Sequence, residues 1–283
     1  MRRARVKALA KLNLDLRVLY KRPDGYHELR TVFQTVSLAD RIEIAFTPSK
    51  RTEIRLEASV EIQDNLMIRA ARACLDEMRV AGRVEMRLAK TIPMGAGLGG
   101  GSSDAAAVLL ALPVLAGGVI ALERLLALAR ALGSDVPFFL LGGTAAGIGR
   151  GDELYPLPDA KPRPGVLVAP GLHVSTTEAY RALARPLLGE LTSMPPENNI
   201  DSFQSRAWHP GEQPGRNDFE AAVFLKFPLL QSLKDKLMDL GAEIAMMTGS
   251  GSSLFGLFRT RQQATRAVRR LQPEKALEIS LVS

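Results

Sequence analysis

The sequence predicts an α+β fold, because segments of alternating apolar residues, typical of strands, are interspersed with segments of helical spacing. Its 283 residues are 46% hydrophobic and 24% charged, which is the composition of a soluble globular protein with one large domain or two ordinary ones. No repeat of about 20–50 residues is visible, so a solenoid or propeller is not expected.

Alternation predicts the strands. In residues 12–18, Leu12 and Leu14 point one way and Asn13 and Asp15 the other, so we expect a half-buried strand, ended by the turn at Pro23-Asp24-Gly25. Further strands are predicted at 42–46, 54–56, 84–88, 165–169 and 277–282, and a strand, loop and strand at 243–258.

Helical spacing predicts the other elements. Helices are expected at 65–78, 102–112, 120–132, 176–183 and 217–240, and a helix with a basic outer face within 259–270. Residues 193–215 contain four prolines and are predicted to form an exposed loop. The proline-rich stretch 156–164 predicts the boundary between an N-terminal domain, 1–155, and a C-terminal domain, 156–283.

Composition excludes several classes of protein. The single cysteine, Cys74, excludes an internal disulfide framework and is typical of a reducing compartment, and with three histidines it makes a zinc site improbable. No apolar run is long enough for a membrane span or a secretory signal, so we expect a cytoplasmic protein. The net charge of +7 favours anionic partners or reflects a solvated basic surface. Without a long basic block, we expect neither nucleic acid nor membrane as partner.

The most informative segment is a glycine-rich loop between a predicted strand and a predicted helix. Glycines let the backbone approach a ligand closely, and the first N–H groups of the helix carry the positive end of its dipole. Together these features favour a di- or triphosphate. We therefore predict phosphate binding at Pro93, Met94, Gly95, Ala96, Gly97, Leu98, Gly99, Gly100, Gly101, Ser102 and Ser103, with the serines as hydroxyl donors and a candidate N-cap.

Other interpretations of this loop are weaker. Residues 95–100 match G-x-G-x-x-G, but the acidic residue expected about 20 positions later falls near Glu123, inside a predicted helix. A Walker A loop requires Gly-Lys-Ser/Thr, and a protein-kinase loop requires a following strand with a lysine; both are absent. A flexible linker is the remaining alternative.

Three further features each allow two interpretations. Asp135 follows a helix, and it either caps the next turn or serves as a general base for a hydroxyl. Lys11 is either solvated, like most lysines on strands, or buried, in which case it needs an anionic partner. Residues 249–253, Gly-Ser-Gly-Ser-Ser, form either a plain hairpin connection or a second loop that contacts ligand.

Three spaced motifs resemble the signatures of the GHMP kinases: Lys11-Leu12-Asn13, the loop 93–103 and the loop 249–253. The resemblance covers most of the chain. It is closer still to the branch of this family that phosphorylates a cytidine diphosphate-linked methylerythritol in non-mevalonate isoprenoid synthesis, on residues 22–29, 134–139 and 217–220. It implies a two-domain fold, with an N-terminal βαβ-containing kinase domain, a C-terminal α+β domain and the active site in the cleft between them.

The same resemblance implies roles for the candidate residues. Asp135 would deprotonate the C2 hydroxyl of the methylerythritol, Lys11 would polarise it, and the loop 93–103 would bind the phosphates of ATP with Mg²⁺, whose ligands stay unassigned. The substrate contacts would be Asn13, Tyr26, His27, Tyr180, Gly249, Ser250 and Gly251, with the aromatic rings and the imidazole around the cytosine.

Two alternatives stay open. The acceptor of another GHMP kinase is homoserine, mevalonate or a sugar, but such a small acceptor has no base to stack on Tyr26 and His27. A non-catalytic nucleotide or RNA binder is the other possibility, but it has no use for both Lys11 and Asp135.

Overall fold

The computed structural model describes residues 1–61, 63–184 and 200–282, and it has the predicted α+β architecture. The strands are β1 (Arg2–Lys21), β2 (His27–Pro48), β3 (Glu53–Ala58), β4 (Gly82–Ala89), β5 (Thr144–Gly149), β6 (Glu153–Pro156), β7 (Pro164–Val168), β8 (Ile244–Met247), β9 (Leu254–Leu257) and β10 (Ala276–Ser280). The helices are α1 (Leu66–Met78), α2 (Gly100–Ala116), α3 (Leu122–Leu132), α4 (Val136–Leu141), α5 (Thr176–Leu183), α6 (Ile200–Ala207), α7 (Phe219–Lys226), α8 (Pro228–Asp239) and α9 (Arg261–Arg270).

Backbone packing divides the chain into two compact units, each made of three segments. The first unit consists of Met1–Ala10, Leu38–Met94 and Gly99–Leu141. The second consists of Lys11–Ser37, Gly95–Leu98 and the described residues from Gly142 onward. The separate division of the sequence into domains 1–155 and 156–283 stays a prediction.

The first unit is a sheet covered by helices. Strand β4 pairs antiparallel with β2, in a register that matches Ile44 with Met86, and β3 pairs parallel with β4. The residues of β4 alternate between buried and exposed, as the sequence predicts. Helices α1 and α2 pack on the apolar face, where Cys74 and Leu75 of α1 and Val108 of α2 are buried in one core.

The second unit contains an antiparallel sheet of order β10-β7-β9-β8. Residues 29–34 of β2 also pair with β5, and β5 pairs with β6. Its core joins Val166 of β7 and Leu254 of β9 to Leu233 of α8 and Ala267 of α9. The basic residues of α9 lie on its outer face, as predicted, because Ala264 and Ala267 occupy the buried side.

The prediction that the first strand is half buried is wrong. Asn13, Asp15 and Arg17 on the supposedly exposed face are each at most 2% exposed. They are covered because their polar groups have partners: Arg17 Nε donates to Asp15 Oδ1 at 2.8 Å, and Arg17 Nη1 donates to Ser202 Oγ at 2.6 Å. Buried polar groups are tolerated when they are hydrogen-bonded.

The predicted exposed loop at 193–215 is wrong for residues 200–207, whereas residues 208–215 form turns and irregular, largely exposed backbone, as predicted. Residues 193–199 lie outside the described residues, and Ile200–Ala207 form α6. Phe203 is 4% exposed, and its ring lies 5.5 Å from the guanidinium carbon of Arg17. The helix is stabilised because Phe203 and Ala207, one turn apart, share its buried apolar face.

Smaller differences concern helix ends. Helix α2 begins at Gly100 and extends through Pro113 to Ala116, and Gly99, in the left-handed region, is its N-cap rather than a serine. The helix predicted at 217–240 is two helices, since Pro228 starts α8. Among the helices described, none combines the length and apolar character that a bilayer-spanning segment requires.

Candidate active site

The glycine-rich loop leads from β4 into α2, as the sequence predicts. No side chain caps the first turn of α2, which leaves its amide groups available to an anion. At Gly101 an added Cβ would have no neighbour within 4 Å, so no protein contact requires a glycine there. Within the segment 93–103, Met94 is 57% exposed, whereas Ser103 is buried. The first turn of α2 is therefore uncapped by side chains and open at Gly101.

The loop also meets the second small-residue loop of the chain. A Cβ at Gly97 would lie 2.3 Å from the carbonyl oxygen of Thr248, and a Cβ at Gly249 would lie 3.0 Å from the Cα of Gly97. Both glycines have positive φ, +77° and +59°. Residues 248–253 connect the antiparallel strands β8 and β9, and the backbone at Gly249 packs directly on the glycine-rich loop.

Lys11 and Asn13 are joined to this second loop. Lys11 is 3% exposed, its Nζ donates to Asn13 Oδ1 at 2.6 Å, and it lies 5.6 Å from the centroid of the Phe33 ring. Asn13 Oδ1 also accepts the Gly249 amide at 3.0 Å, and Asn13 Nδ2 donates to Thr31 Oγ1 at 2.8 Å. The ammonium group of Lys11 is thus held by a buried network rather than solvated.

Sequence reasoning assigned no role to Asn217, which supports the same loop. Asn217 Nδ2 donates to the carbonyl oxygens of Met247 and Gly249, each at 2.8 Å, and Asn217 Oδ1 accepts the Phe219 amide at 3.0 Å. Two buried asparagines therefore hold the backbone of Gly249: Asn13 accepts from its N–H, and Asn217 donates to its carbonyl oxygen. The sequence motif 217–220 drew attention to Asn217, but only the fold shows which backbone groups its side chain binds.

The aromatic residues predicted to contact cytosine lie in the second unit. The rings of His27 and Tyr180 stack, with centroids 4.6 Å apart and an interplanar angle of 22°, and Tyr180 meets Phe219 edge to face at 4.9 Å. Tyr26 is 52% exposed, and the guanidinium carbon of Arg150 lies 4.8 Å from its ring centroid. The chain thus offers stacked rings and, at Tyr26, an exposed ring with a cation beside it.

The Tyr26 ring is held by a tight turn. Tyr26 N–H donates to Asp24 Oδ1 at 3.1 Å, and Arg22 makes ion pairs with Asp24 at 3.2 Å and with Glu28 at 2.6 Å. Gly25, at φ +85°, supplies the left-handed residue that the turn requires. The backbone that carries the ring is therefore fixed by its own side chains.

Asp135 directly precedes α4 in the first unit and is half buried. Within the described part of the chain its carboxylate makes no hydrogen bond or ion pair, so it does not cap α4. The local interpretation of Asp135 as a helix cap is therefore not supported. A carboxylate without a structural partner is free to accept a proton from a ligand.

A buried charge cluster that sequence reasoning missed lies beside the glycine-rich loop. Lys90 Nζ contacts Asp40 Oδ2 at 2.5 Å and Asp104 Oδ2 at 2.7 Å, and the three side chains are at most 6% exposed. Asp104 Oδ1 has no hydrogen-bond partner. Burial raises the pKa of Asp104 to about 7. The positive charge of Lys90 lowers this pKa, whereas the neighbouring Asp40 carboxylate raises it further.

This pKa predicts a pH-dependent stability. The unfolded chain releases the Asp104 proton near its ordinary pKa of 3.8, whereas the folded protein keeps it until about pH 7. The contribution of this group to the free energy of unfolding should therefore fall as the pH rises from about 4 to about 7. Asp104→Asn, which cannot ionise, should flatten this part of the profile in urea unfolding measured across that range. An equally steep decline in the variant would contradict the assignment.

Comparison with known proteins identifies the family. The profile described as "GHMP kinases N terminal domain" matches residues 65–143, and "GHMP kinases C terminal" matches residues 205–276. A solved structure of homoserine kinase from Cytophaga hutchinsonii, 17% identical over 99% of this chain and 95% of its own, superposes with a TM-score of 0.70 and shares the fold.

Closer relatives carry one name. The 4-diphosphocytidyl-2-C-methyl-D-erythritol kinase of Solibacter usitatus is 60% identical over 100% of this chain and 90% of its own length. The kinase of that name from Thermus thermophilus is 41% identical over 94% of this chain and 91% of its own length. A crystal structure of 4-(cytidine 5'-diphospho)-2C-methyl-D-erythritol kinase, 38% identical over 99% of this chain and 100% of its own, has a TM-score of 0.82. The chain therefore belongs to the GHMP kinases, and among them to the family of 4-diphosphocytidyl-2-C-methyl-D-erythritol kinases.

Proposed function

We propose that this protein transfers the γ-phosphoryl group of ATP to the C2 hydroxyl of 4-diphosphocytidyl-2-C-methyl-D-erythritol, a step of isoprenoid precursor biosynthesis. The observation that carries the proposal is the identity of 60% with a kinase of that name along the whole chain. The buried Lys11–Asn13 pair and the aromatic surface of His27 and Tyr180 support it.

ATP is the phosphoryl donor, as in the GHMP kinases generally. We propose that its phosphates bind the segment 93–103 through backbone amides. The uncapped first turn of α2 supports this assignment, and so does the open space at Gly101. Anions are stabilised there because the unpaired N–H groups and the helix dipole act together.

We propose Asp135 as the general base that accepts the proton of the C2 hydroxyl. Phosphoryl transfer requires little covalent chemistry from the protein, so positioning and charge stabilisation dominate. Lys11 is proposed to polarise the hydroxyl and to stabilise charge on the transferred group. Its burial supports the second role, because a cation acts more strongly where water is excluded.

The residues that the structure describes do not form a preassembled Mg²⁺ site. In the described part of the chain, no group of three or more His, Cys, Asp or Glu side chains is arranged to hold a metal. The two carboxylates of the buried cluster beside the loop, Asp40 and Asp104, already share the Lys90 ammonium. We therefore propose that Mg²⁺ arrives with the phosphates of ATP.

The cytidine is proposed to lie against Tyr26, His27 and Tyr180. The exposed ring of Tyr26 offers a stacking face, and the His27 imidazole can both donate to and accept from a base edge. The His27–Tyr180 stack must open if the base enters between these two rings. Asn13, Gly249, Ser250 and Gly251 are the remaining proposed substrate contacts.

Tyr26→Ala tests the cytidine assignment. Stacking on an aromatic ring contributes about 1–3 kcal/mol per base, so KM for the cytidine substrate should rise by about five- to a hundredfold while KM for ATP changes little. The matched control is Tyr155→Ala, which removes another exposed tyrosine of the second unit. If KM for the cytidine substrate were unchanged in Tyr26→Ala, the Tyr26 ring would not be part of the cytidine site.

The proposed activity itself is tested by ADP release against a panel of acceptors. The panel contains 4-diphosphocytidyl-2-C-methyl-D-erythritol, homoserine, mevalonate and galactose. Turnover only with the cytidine compound is the expected result. Faster turnover with one of the small acceptors would favour another GHMP kinase activity, and ATP binding without turnover of any acceptor would favour a non-catalytic binder.

A further inference from the structure

The charge cluster of Asp40, Lys90 and Asp104 lies at both ends of the glycine-rich loop. Lys90 directly follows β4, and Asp104 lies in the first turns of α2. Lys90 Nζ contacts one carboxylate oxygen of each aspartate, at 2.5 and 2.7 Å. One ammonium group therefore ties the strand that enters the loop to the helix that leaves it.

Asp40 extends this connection to the backbone of the loop. Its second carboxylate oxygen, Oδ1, accepts the Thr91 amide at 2.5 Å and the Ile92 amide at 2.8 Å. Hydrogen bonds to an ionised group are roughly twice as strong as neutral ones. The first two residues after Lys90 are thus fixed by a side chain that is completely buried.

Gly100 gives independent support. A Cβ at Gly100 would lie 2.9 Å from Lys90 Nζ and 2.9 Å from Ile92 Cγ2. A side chain at Gly100 would therefore crowd the Lys90 ammonium and Ile92, so one of them would have to shift. This differs from Gly101, where the space is open. Adjacent glycines thus serve different purposes: one accommodates Lys90, and the other leaves room for a ligand.

We infer that Lys90 is a positioning residue for nucleotide binding, which it supports by joining Asp40 and Asp104 and so fixing the phosphate loop. This inference rests on the proposed function, in which that loop binds ATP. In this inference Lys90 acts through the backbone of residues 91–100 and not by direct contact with the nucleotide. The competing explanation is a cluster that only stabilises the first unit. Buried ion clusters often contribute little net stability, which favours preorganisation of the loop over a purely stabilising role.

Lys90→Met tests the inference, because it keeps the aliphatic stem and removes the charge. The dissociation constant for ATP, from calorimetric titration, and KM for ATP should both rise by about tenfold or more, while KM for the cytidine acceptor stays within about twofold. The control is Leu56→Ala on β3 of the same unit, which lowers the melting temperature without touching the loop or the cluster. It should leave both ATP constants near those of the parent.

Lys90→Met leaves two carboxylates facing each other, and a variant that does not fold would be replaced by Lys90→Met/Asp104→Asn. That double variant removes the ammonium group and the Asp104 carboxyl group, and the same loss of ATP affinity is expected because the loop ends are no longer joined. Parent-like ATP constants in a folded variant, or an equal loss in Leu56→Ala, would overturn the inference. Failure of the proposed function is distinguishable, because then the parent itself would bind no ATP or phosphorylate no cytidine acceptor.

Discussion

Asp135→Asn is expected to lower kcat by about 10²–10⁴ while the dissociation constant for ATP is nearly unchanged. The amide keeps the shape of the side chain but cannot accept the proton of the attacking hydroxyl. The carboxylate has no structural hydrogen bond within the described residues, so the substitution breaks no contact that the fold needs. The measurement is steady-state turnover with the cytidine acceptor, together with calorimetric titration of ATP.

Asp76→Asn on α1 is a matched control, since Asp76 is an exposed aspartate of the same unit. It should retain the parent kcat. If Asp135→Asn turned over within a few-fold of the parent, the general base would have to be another group. A loss of ATP affinity as large as the loss of kcat would instead indicate a damaged nucleotide site.

Lys11→Met should reduce kcat by about 10²–10³ with little loss of stability. The buried methionine fills the same volume beside Phe33, whereas the charge proposed to stabilise the transferred phosphoryl group is gone. Asn13 Oδ1 would still accept the Gly249 amide, so the second loop should keep its position. Turnover and the urea midpoint are measured on the same preparation.

Lys7→Met provides the comparison, because Lys7 is an exposed lysine on the same strand. Lys7→Met should change neither kcat nor the urea midpoint. A Lys11→Met enzyme with parent turnover would show that the ammonium group is dispensable for the chemistry. A large fall in the urea midpoint would show that its role in the network is chiefly structural.

Local sequence predicted the elements that local forces determine. Helical spacing predicted α1 at 65–78 and α5 at 176–183, and the structure has them at Leu66–Met78 and Thr176–Leu183. The glycine-rich loop was predicted between β4 and α2, since glycine content and the following alanine-rich helix both indicate it. The family resemblance then supplied the fold and the activity.

Contacts between residues far apart in the sequence explain why the burial of β1 and the helix α6 were not predicted. The alternation along β1 predicted an exposed polar face, but Arg17 is covered by Ser202 and Phe203 of a helix far along the chain. That helix was itself overlooked, because the surrounding prolines suggested a loop. The spacing of Ile200, Phe203 and Ala207 is the signal that could have revealed it.

The same limit applies to the candidate site. Lys11 and the two loops were predicted as separate motifs, and no local pattern indicates that Asn13 and Asn217 hold the backbone of Gly249. Likewise, Lys90 and Asp40 look like ordinary surface residues until β2 and β4 bring them beside Asp104. Side-chain networks depend on tertiary neighbours, which a single sequence does not specify.

The contact between Gly97 and Gly249 has a thermodynamic consequence. No side chain separates the two backbones, so we expect movement of one loop to displace the other. A phosphate group that orders the glycine-rich loop would also reduce the conformational entropy of the loop at Gly249. Through Asn13 it would reduce the conformational entropy of the Lys11 side chain as well. A second ligand that binds residues 248–251 would then find this loop already ordered, so its binding would lose less conformational entropy. The two ligands would therefore bind with positive cooperativity.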